Sequence, residues 1–159
     1  MGKSASEVQA YICSRLDETH PGLSWQTEYQ IAGTPIDIAG ISDERLVLLE
    51  LEWRRADPAD NSAKIFRHLV DEPPDVHHVL VAQTFTNYYN LVGGGVSSKR
   101  KNAEFVGTIA ANSIEYLSYY PFDFPLNPPK RGTDLPNSWT EAAERTIDHL
   151  NGRIRSVTD

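Results

Sequence analysis

The sequence predicts an α+β protein with α/β/α layering, in which a central mixed β-sheet is flanked by helices. The chain of 159 residues has the length of one domain. Hydrophobic residues make up 40% and charged residues 23%, which is the balance of a folded globular protein. Segments with helical and with strand periodicity follow in the order α-β-β-β-α-β-α-β-α, which is typical of a sheet that combines antiparallel and parallel neighbours.

The first part of this order is a helix followed by three strands. An apolar stripe at helical spacing predicts a helix that begins at Ser4 or Ser6 and runs to about residue 18. Pro21 and Gly22 end it. The three strands are predicted at residues 23–32, 36–39 and 45–53.

The second part alternates helices and strands. Asp60 or Asn61 is expected to cap a helix that ends near residue 70, before two consecutive prolines. The remaining elements are predicted as a strand at 76–85, a helix at 98–111, a strand at 114–120 and a helix at 138–155. Several prolines predict irregular structure over 121–136.

Charge and cysteine content exclude some classes of protein. The net charge of −7 gives no long-range attraction to nucleic acid, so any such binding must come from a local basic patch. Cys13 is the only cysteine, which excludes an internal disulfide and a multi-cysteine zinc site. We therefore expect a reducing, cytoplasmic setting. The most apolar run, 46–49, is far too short for a membrane span, so no membrane partner is expected.

Three carboxylates are predicted to meet on one face of the second and third strands. If Asp43 and Glu44 form a two-residue hairpin turn, Asp37 lies directly opposite Glu50. Directly opposed side chains have their Cβ atoms about 5 Å apart on the same face. Glu52 is two residues beyond Glu50 and shares that face.

Such crowding of acids is costly because like charges repel and burial penalises the charged form. A divalent cation relieves both costs, and carboxylate oxygens with water are the ligands that Mg²⁺ prefers. The alternative interpretation is a solvated acidic face with an arginine nearby, namely Arg45, Arg54 or Arg55.

This arrangement resembles the PD-(D/E)XK nuclease superfamily, whose restriction-endonuclease-like core has the order αβββαβ. The residues that carry the resemblance are Pro35-Ile36-Asp37 on the second strand and Glu50-Leu51-Glu52 on the third. It implies one nuclease domain over 1–159, with the core at about 4–85 and a C-terminal elaboration at about 86–159. Glu52 stands where members of the superfamily usually have lysine.

The resemblance implies a function and a set of roles. The protein would be a Mg²⁺-dependent endonuclease or exonuclease that hydrolyses phosphodiester bonds of DNA, with Mn²⁺ able to substitute, and it could act as a homodimer. Asp37 and Glu50 would bind the metal, helped by the backbone carbonyl of Leu51. Glu52 would bind metal or accept a proton from the attacking water. Lys64, on the following helix, would supply the missing lysine.

Other candidate residues lie outside these strands. Asn61 and His68 share a predicted helix face with Lys64, and Glu7 matches a place where members of the superfamily add a further acid. The densest basic run consists of three residues: Lys99, Arg100 and Lys101. It follows a glycine-rich loop and could bind a nucleic-acid backbone, or it could be a solvated helix start.

Two further interpretations remain open from the sequence. The absence of lysine at position 52 and the net negative charge fit a catalytically inactive module on the same fold, binding nucleic acid or protein. An unrelated α+β protein could instead carry the acids as surface ion pairs.

Overall fold

The computed structural model describes residues 2–156 and has a five-stranded mixed sheet with helices on both faces. The helices are α1 (Lys3–Thr19), α2 (Pro58–Asp71), α3 (Ser98–Ser113) and α4 (Trp139–Ser156). The strands are β1 (Ser24–Ile31), β2 (Thr34–Ile41), β3 (Arg45–Glu52), β4 (His78–Phe85) and β5 (Leu117–Asp123). They are ordered β1-β2-β3-β4-β5; β1 to β3 are antiparallel and β3 to β5 are parallel. The predicted α+β class and mixed sheet are confirmed.

The two faces of the sheet bury separate apolar clusters, which give the α/β/α layering. One cluster joins the sheet to α1 and α4, with Leu49 and Leu51 among its members from β3. The other joins it to α2 and α3, with Leu46 and Leu48 among its members from the same strand. Alternation along β3 therefore supplies both layers. Across residues 2–156, none of the helices has the length and apolar content that a membrane span requires.

The β2–β3 hairpin has the predicted register. Ala39 pairs with Leu48, and Ile38 pairs with Leu49. The backbone N–H of Ser42 donates to the Arg45 carbonyl at 2.9 Å and closes the turn. Strand β2 is twice as long as the predicted 36–39, because it pairs with β1 from residue 34 to residue 41, except at Asp37.

The predicted start of α2 was wrong. The helix is capped by Asp57, whose side chain accepts a hydrogen bond from the backbone N–H of Asp60 at 3.0 Å. Pro58 occupies the first helical position, where its fixed φ angle suits the helix and its missing N–H is not needed. Asn61 is therefore inside the helix and not its cap, which directs its amide toward the sheet.

The proline-rich segment also differs from its prediction. Strand β5 continues over Pro121, inside the segment 121–136 that was predicted to be irregular. Proline is tolerated because β5 is an edge strand and has a hydrogen-bonding neighbour on one side only. An unpredicted 3-10 helix (Asn87–Tyr89) follows β4.

Candidate active site

The candidate site lies where β2 separates from β3. Residues 36 and 38 of a regular strand share a face, but Ile36 packs toward α2 and α3 whereas Ile38 packs toward α1 and α4. The β1–β2 ladder omits Glu28 and Asp37 at this point, and Glu28 adopts a left-handed conformation with φ of 53°. This irregularity occurs at the acid that the sequence singled out.

Asp37 bonds to the backbone of β3 at this opening. The regular pairing of β2 with β3 ends at Ile38, and the Asp37 carboxylate accepts a hydrogen bond from the Leu51 N–H at 2.7 Å. The Asp37 carbonyl accepts one from Gln9 Nε2 of α1 at 2.5 Å. Gln9 also donates to Glu28 Oε1 at 3.0 Å. Asp37 is thus fixed by α1 and β3 together. The metal-binding role predicted for the Leu51 carbonyl stays a prediction.

Glu50 and Glu52 are almost completely buried on the α2 side of β3, with 2% and 1% of their surface exposed. Asn61 Nδ2 donates to Glu50 Oε2 at 2.9 Å and lies 3.4 Å from Glu52 Oε1. Glu52 Oε1 also accepts from Gln83 Nε2 at 2.7 Å. Within the described residues, Glu50 Oε1 and Glu52 Oε2 are buried and accept no hydrogen bond. Glu50 Oε1 therefore has no hydrogen-bond partner, and Glu52 Oε2 has only an ion pair with Arg55.

A buried polar network supports Glu52 from β4 and α2. Gln83 is fixed by the hydroxyl of Ser62, at 2.9 Å from Nε2, and by Tyr119, which donates to Gln83 Oε1 at 2.6 Å. With its oxygen occupied by Tyr119, the Gln83 amide must present its N–H group to Glu52.

The pKa values of all three acids are raised. Burial raises the pKa of Asp37 to about 6; the charges of Glu52 and Glu28 add to this, and the Leu51 N–H opposes it. Burial is also the main cause that raises the pKa of Glu50 well above its usual value, followed by repulsion from Asp37 and Glu52. The pKa of Glu52 is raised by burial, against the hydrogen bond from Gln83. Buried, mutually repelling acids are common in functional sites.

The cation nearest the acids is Arg55. Its Nε lies 3.5 Å from Glu52 Oε2, and its side chain is 46% exposed. The Arg55 carbonyl accepts a hydrogen bond from the buried Tyr89 hydroxyl at 3.0 Å. Arg55 therefore stands between the buried acids and solvent.

The site suits a divalent cation only with water or substrate as further ligands. Over residues 2–156, no group of three or more His, Cys, Asp or Glu side chains is disposed to hold a metal ion. Mg²⁺ commonly uses one or two carboxylates, with waters and phosphate oxygens completing its coordination. Asp37 and Glu50 offer two such carboxylates, and the unsatisfied Glu50 Oε1 is an available donor atom. The residues present fit a Mg²⁺ ion of this kind.

Lys64 is directed away from the acids. Its Nζ forms an ion pair with Asp60 at 2.9 Å, and both side chains are more than half exposed. His68 lies 3.0 Å from the Thr34 hydroxyl, at the start of β2. Of the predicted helix face, Asn61 contacts the acids, because it lies on the buried side of α2 together with Ile65 and Leu69.

The three residues of the predicted basic run lie at the start of α3 and differ in exposure. Arg100 is 7% exposed and forms ion pairs with Glu104 at 2.7 Å and Asp123 at 2.5 Å, so its guanidinium is already engaged within the protein. Lys99 and Lys101 are exposed. Lys99 Nζ lies 5.5 Å from the ring centroid of Tyr88, which is itself exposed.

Three residues of the site were missed by the sequence interpretation. Glu7 is exposed, and α1 instead contributes Gln9, which lies next to Val8 on the buried face of the helix. Gln83 pairs in register with Glu50 and was detectable as a glutamine inside a strongly apolar strand. Arg55 was considered only as one of three arginines near the acids, and sequence spacing could not separate it from Arg54.

Comparisons with known proteins identify one structural neighbour. No family model matches the sequence, and no curated protein matches it. A search of solved structures finds the crystal structure of a repair endonuclease from Pyrococcus abyssi, with a TM-score of 0.43 and 20% sequence identity. The match covers 81% of this chain and 49% of that protein, so the chain spans about half the length of its neighbour.

Proposed function

We propose that this protein is a metal-dependent phosphodiester hydrolase that acts on DNA. The observation that carries the proposal is the burial of Asp37, Glu50 and Glu52 together, with one oxygen of each glutamate left without a hydrogen bond. A structure that retains such a costly cluster beside an opening in its sheet is better explained by function than by stability.

Each residue has a role that follows from its position. Asp37 and Glu50 would hold Mg²⁺, which when bound stabilises negative charge on phosphate oxygens and lowers the pKa of a nearby water. Glu52, with its raised pKa and an Oε2 that accepts no hydrogen bond, would accept the proton of the attacking water, because a general base works best when its pKa is near the operating pH. Arg55 would contact the phosphate in place of the lysine that the superfamily usually has.

The test measures metal binding and cleavage separately. Addition of Mg²⁺ or Mn²⁺ should raise the melting temperature of the unmodified protein, and linear or plasmid DNA should be cut in a chelator-sensitive way. Asp37→Asn should abolish both effects. Glu44→Gln removes an exposed acid from the turn of the same hairpin and should change neither. DNA cleavage that persists in Asp37→Asn would remove Asp37 from the mechanism.

A second candidate is a catalytically inactive module on the same fold, which binds nucleic acid or protein. It is favoured by the ion pair of Lys64 with Asp60 and by the engagement of Glu52 with Gln83 and Arg55. This candidate predicts no cleavage with any divalent metal. The variant pair Arg55→Gln and Lys64→Gln separates it from the first proposal, which expects cleavage to fall at least tenfold in Arg55→Gln and to change little in Lys64→Gln.

A further inference from the structure

We propose that the groove between the start of α1 and the segment 129–135 binds the backbone of single-stranded nucleic acid, at the end of β3 that also carries Glu52. The inference deepens the proposed function and takes from it that the site acts on nucleic acid. The groove is open, with a volume of about 730 Å³, and it begins at Trp53 and Arg54, directly after Glu52 at the end of β3.

The charge of the groove is opposite to that of the chain. Four cationic side chains line it: Lys3, Arg54, Lys130 and Arg131. Its acidic side chains are Glu7 and Asp134, so the groove has an excess of two positive charges in a chain whose net charge is −7. Such local concentration of cations is what a polyanion requires on an acidic protein.

The cations come from separate elements and surround one path. Lys3 projects from α1, Arg54 follows β3, and Lys130 and Arg131 belong to the opposite wall. Arg54 Nη2 donates to the Pro128 carbonyl at 2.7 Å, which ties that wall to the end of β3. This tie holds the wall that carries Lys130 and Arg131 at the end of β3.

The remaining features favour a single strand over a duplex. Trp53 lines the groove and is partly buried against Phe124, with ring centroids 6.3 Å apart. An aromatic ring among cations is the usual platform for an unpaired base, whereas paired bases in a duplex are stacked on one another and cannot use it.

The test is a binding measurement made in chelator, so that cleavage plays no part. Fluorescence anisotropy follows the full chain with labelled oligo(dT) and oligo(U) of about 15 nucleotides, and with a blunt DNA hairpin, at about 50 mM salt. We expect the single strands to bind at least fivefold more tightly than the hairpin. Equal or tighter binding of the hairpin would overturn the assignment to single strands.

Matched variants locate the binding surface. Lys3→Gln, Lys130→Gln and Arg131→Gln combined should weaken oligo(dT) binding at least tenfold and make it less dependent on salt. The control removes three exposed cations elsewhere, by Arg67→Gln, Arg145→Gln and Arg153→Gln combined, and should weaken binding less than threefold. An equal loss of affinity in both variants would overturn the proposal that the groove is the binding surface. Displacement of oligo(dT) by polyglutamate at equal charge concentration would overturn it too.

The outcomes also separate this inference from the proposed function. If the groove binds oligo(dT) and no metal supports cleavage, the proposed hydrolase function is wrong and the proposed binding groove is supported. If DNA is cut in a manner that depends on Asp37 while the groove variant keeps full affinity, the proposed binding groove is wrong and the proposed hydrolase function is supported. Trp53→Phe should weaken binding a few-fold while leaving the melting temperature nearly unchanged, because phenylalanine keeps the apolar packing.

Discussion

The two ends of the β2–β3 hairpin differ in their backbone pairing and in the side chains that they bury. At the turn end, four consecutive pairs from Ile38–Leu49 to Ile41–Leu46 form a regular ladder with apolar side chains on both faces. At the open end, regular pairing stops, and the Asp37 carboxylate accepts a hydrogen bond from the backbone N–H of Leu51.

The difference shows how one hairpin serves stability and chemistry at once. Regular pairing satisfies the backbone and buries apolar surface, so the turn end stabilises the fold. The open end buries Glu50 and Glu52, whose charged forms burial penalises, and so reduces stability. The acids are retained at a cost that the turn end offsets, and substitutions at the two ends should change stability in opposite directions.

The largest expected effect belongs to the turn end. Leu48 is fully buried between the strands and α2, and Leu48→Ala should lower the free energy of unfolding by about 2–5 kcal/mol, because a cavity replaces the side chain. Urea denaturation measures this. A loss below about 1 kcal/mol would be close to the effect of a surface substitution and would contradict the stabilising role of the turn end.

Glu50→Gln should act in the other direction. It removes a charge that burial and two neighbouring acids disfavour, while Oε1 of the glutamine can still accept from Asn61. Without added metal at neutral pH, we expect the free energy of unfolding to rise by about 1–4 kcal/mol. Glu44→Gln is the exposed control and should stay within about 0.5 kcal/mol. Destabilisation by Glu50→Gln would contradict the comparison of the two ends.

The open end should also give the protein a pH dependence. The pKa of Asp37 is about 6 in the folded state against 3.8 as its ordinary value. Between these values the folded state binds more protons than the unfolded state, so the contribution of Asp37 to stability falls as pH rises from about 4 to about 6. The fall should be about 1–3 kcal/mol. Urea denaturation between about pH 4 and about pH 6 measures the free energy of unfolding of the unmodified protein and of Asp37→Asn. The fall should be smaller by that amount in Asp37→Asn. Parallel plots of the free energy of unfolding against pH would contradict this prediction.

Gln83→Met tests the support of Glu52 from β4. The substitution keeps the volume but removes the donor to Glu52 and the acceptor for Tyr119. We expect a loss of about 1–2 kcal/mol in the free energy of unfolding, since buried polar groups lose their partners. Thermal denaturation of the double variant with Tyr119→Phe should recover part of this loss; no recovery would show that the network is not coupled.

The smallest effect is expected at Lys64. Its ion pair with Asp60 is solvent-exposed on both sides, so Lys64→Gln should change the free energy of unfolding by less than about 0.5 kcal/mol. A large loss of DNA cleavage in this variant, with stability unchanged, would instead support the role that the superfamily resemblance gave to Lys64.

The sequence by itself determined the order of elements, the mixed sheet and the register of the hairpin. These follow from local rules: apolar periodicity, turn residues and the alternation of side chains along a strand. The same rules placed Glu50 and Glu52 on one face of β3, and the structure bears this out.

Only the tertiary structure decided how the acids are surrounded. The left-handed conformation of Glu28 and the departure of β2 from β3 at Asp37 depend on contacts between distant segments, such as that of Gln9 with Asp37. Asn61 lies on the buried face of α2, four residues before Ile65, whereas Lys64 lies at the helix surface, so the packing of α2 on the sheet decides that Asn61 meets the acids. Local periodicity fixes which face a residue shares, but which partners meet at that face is decided by packing between elements.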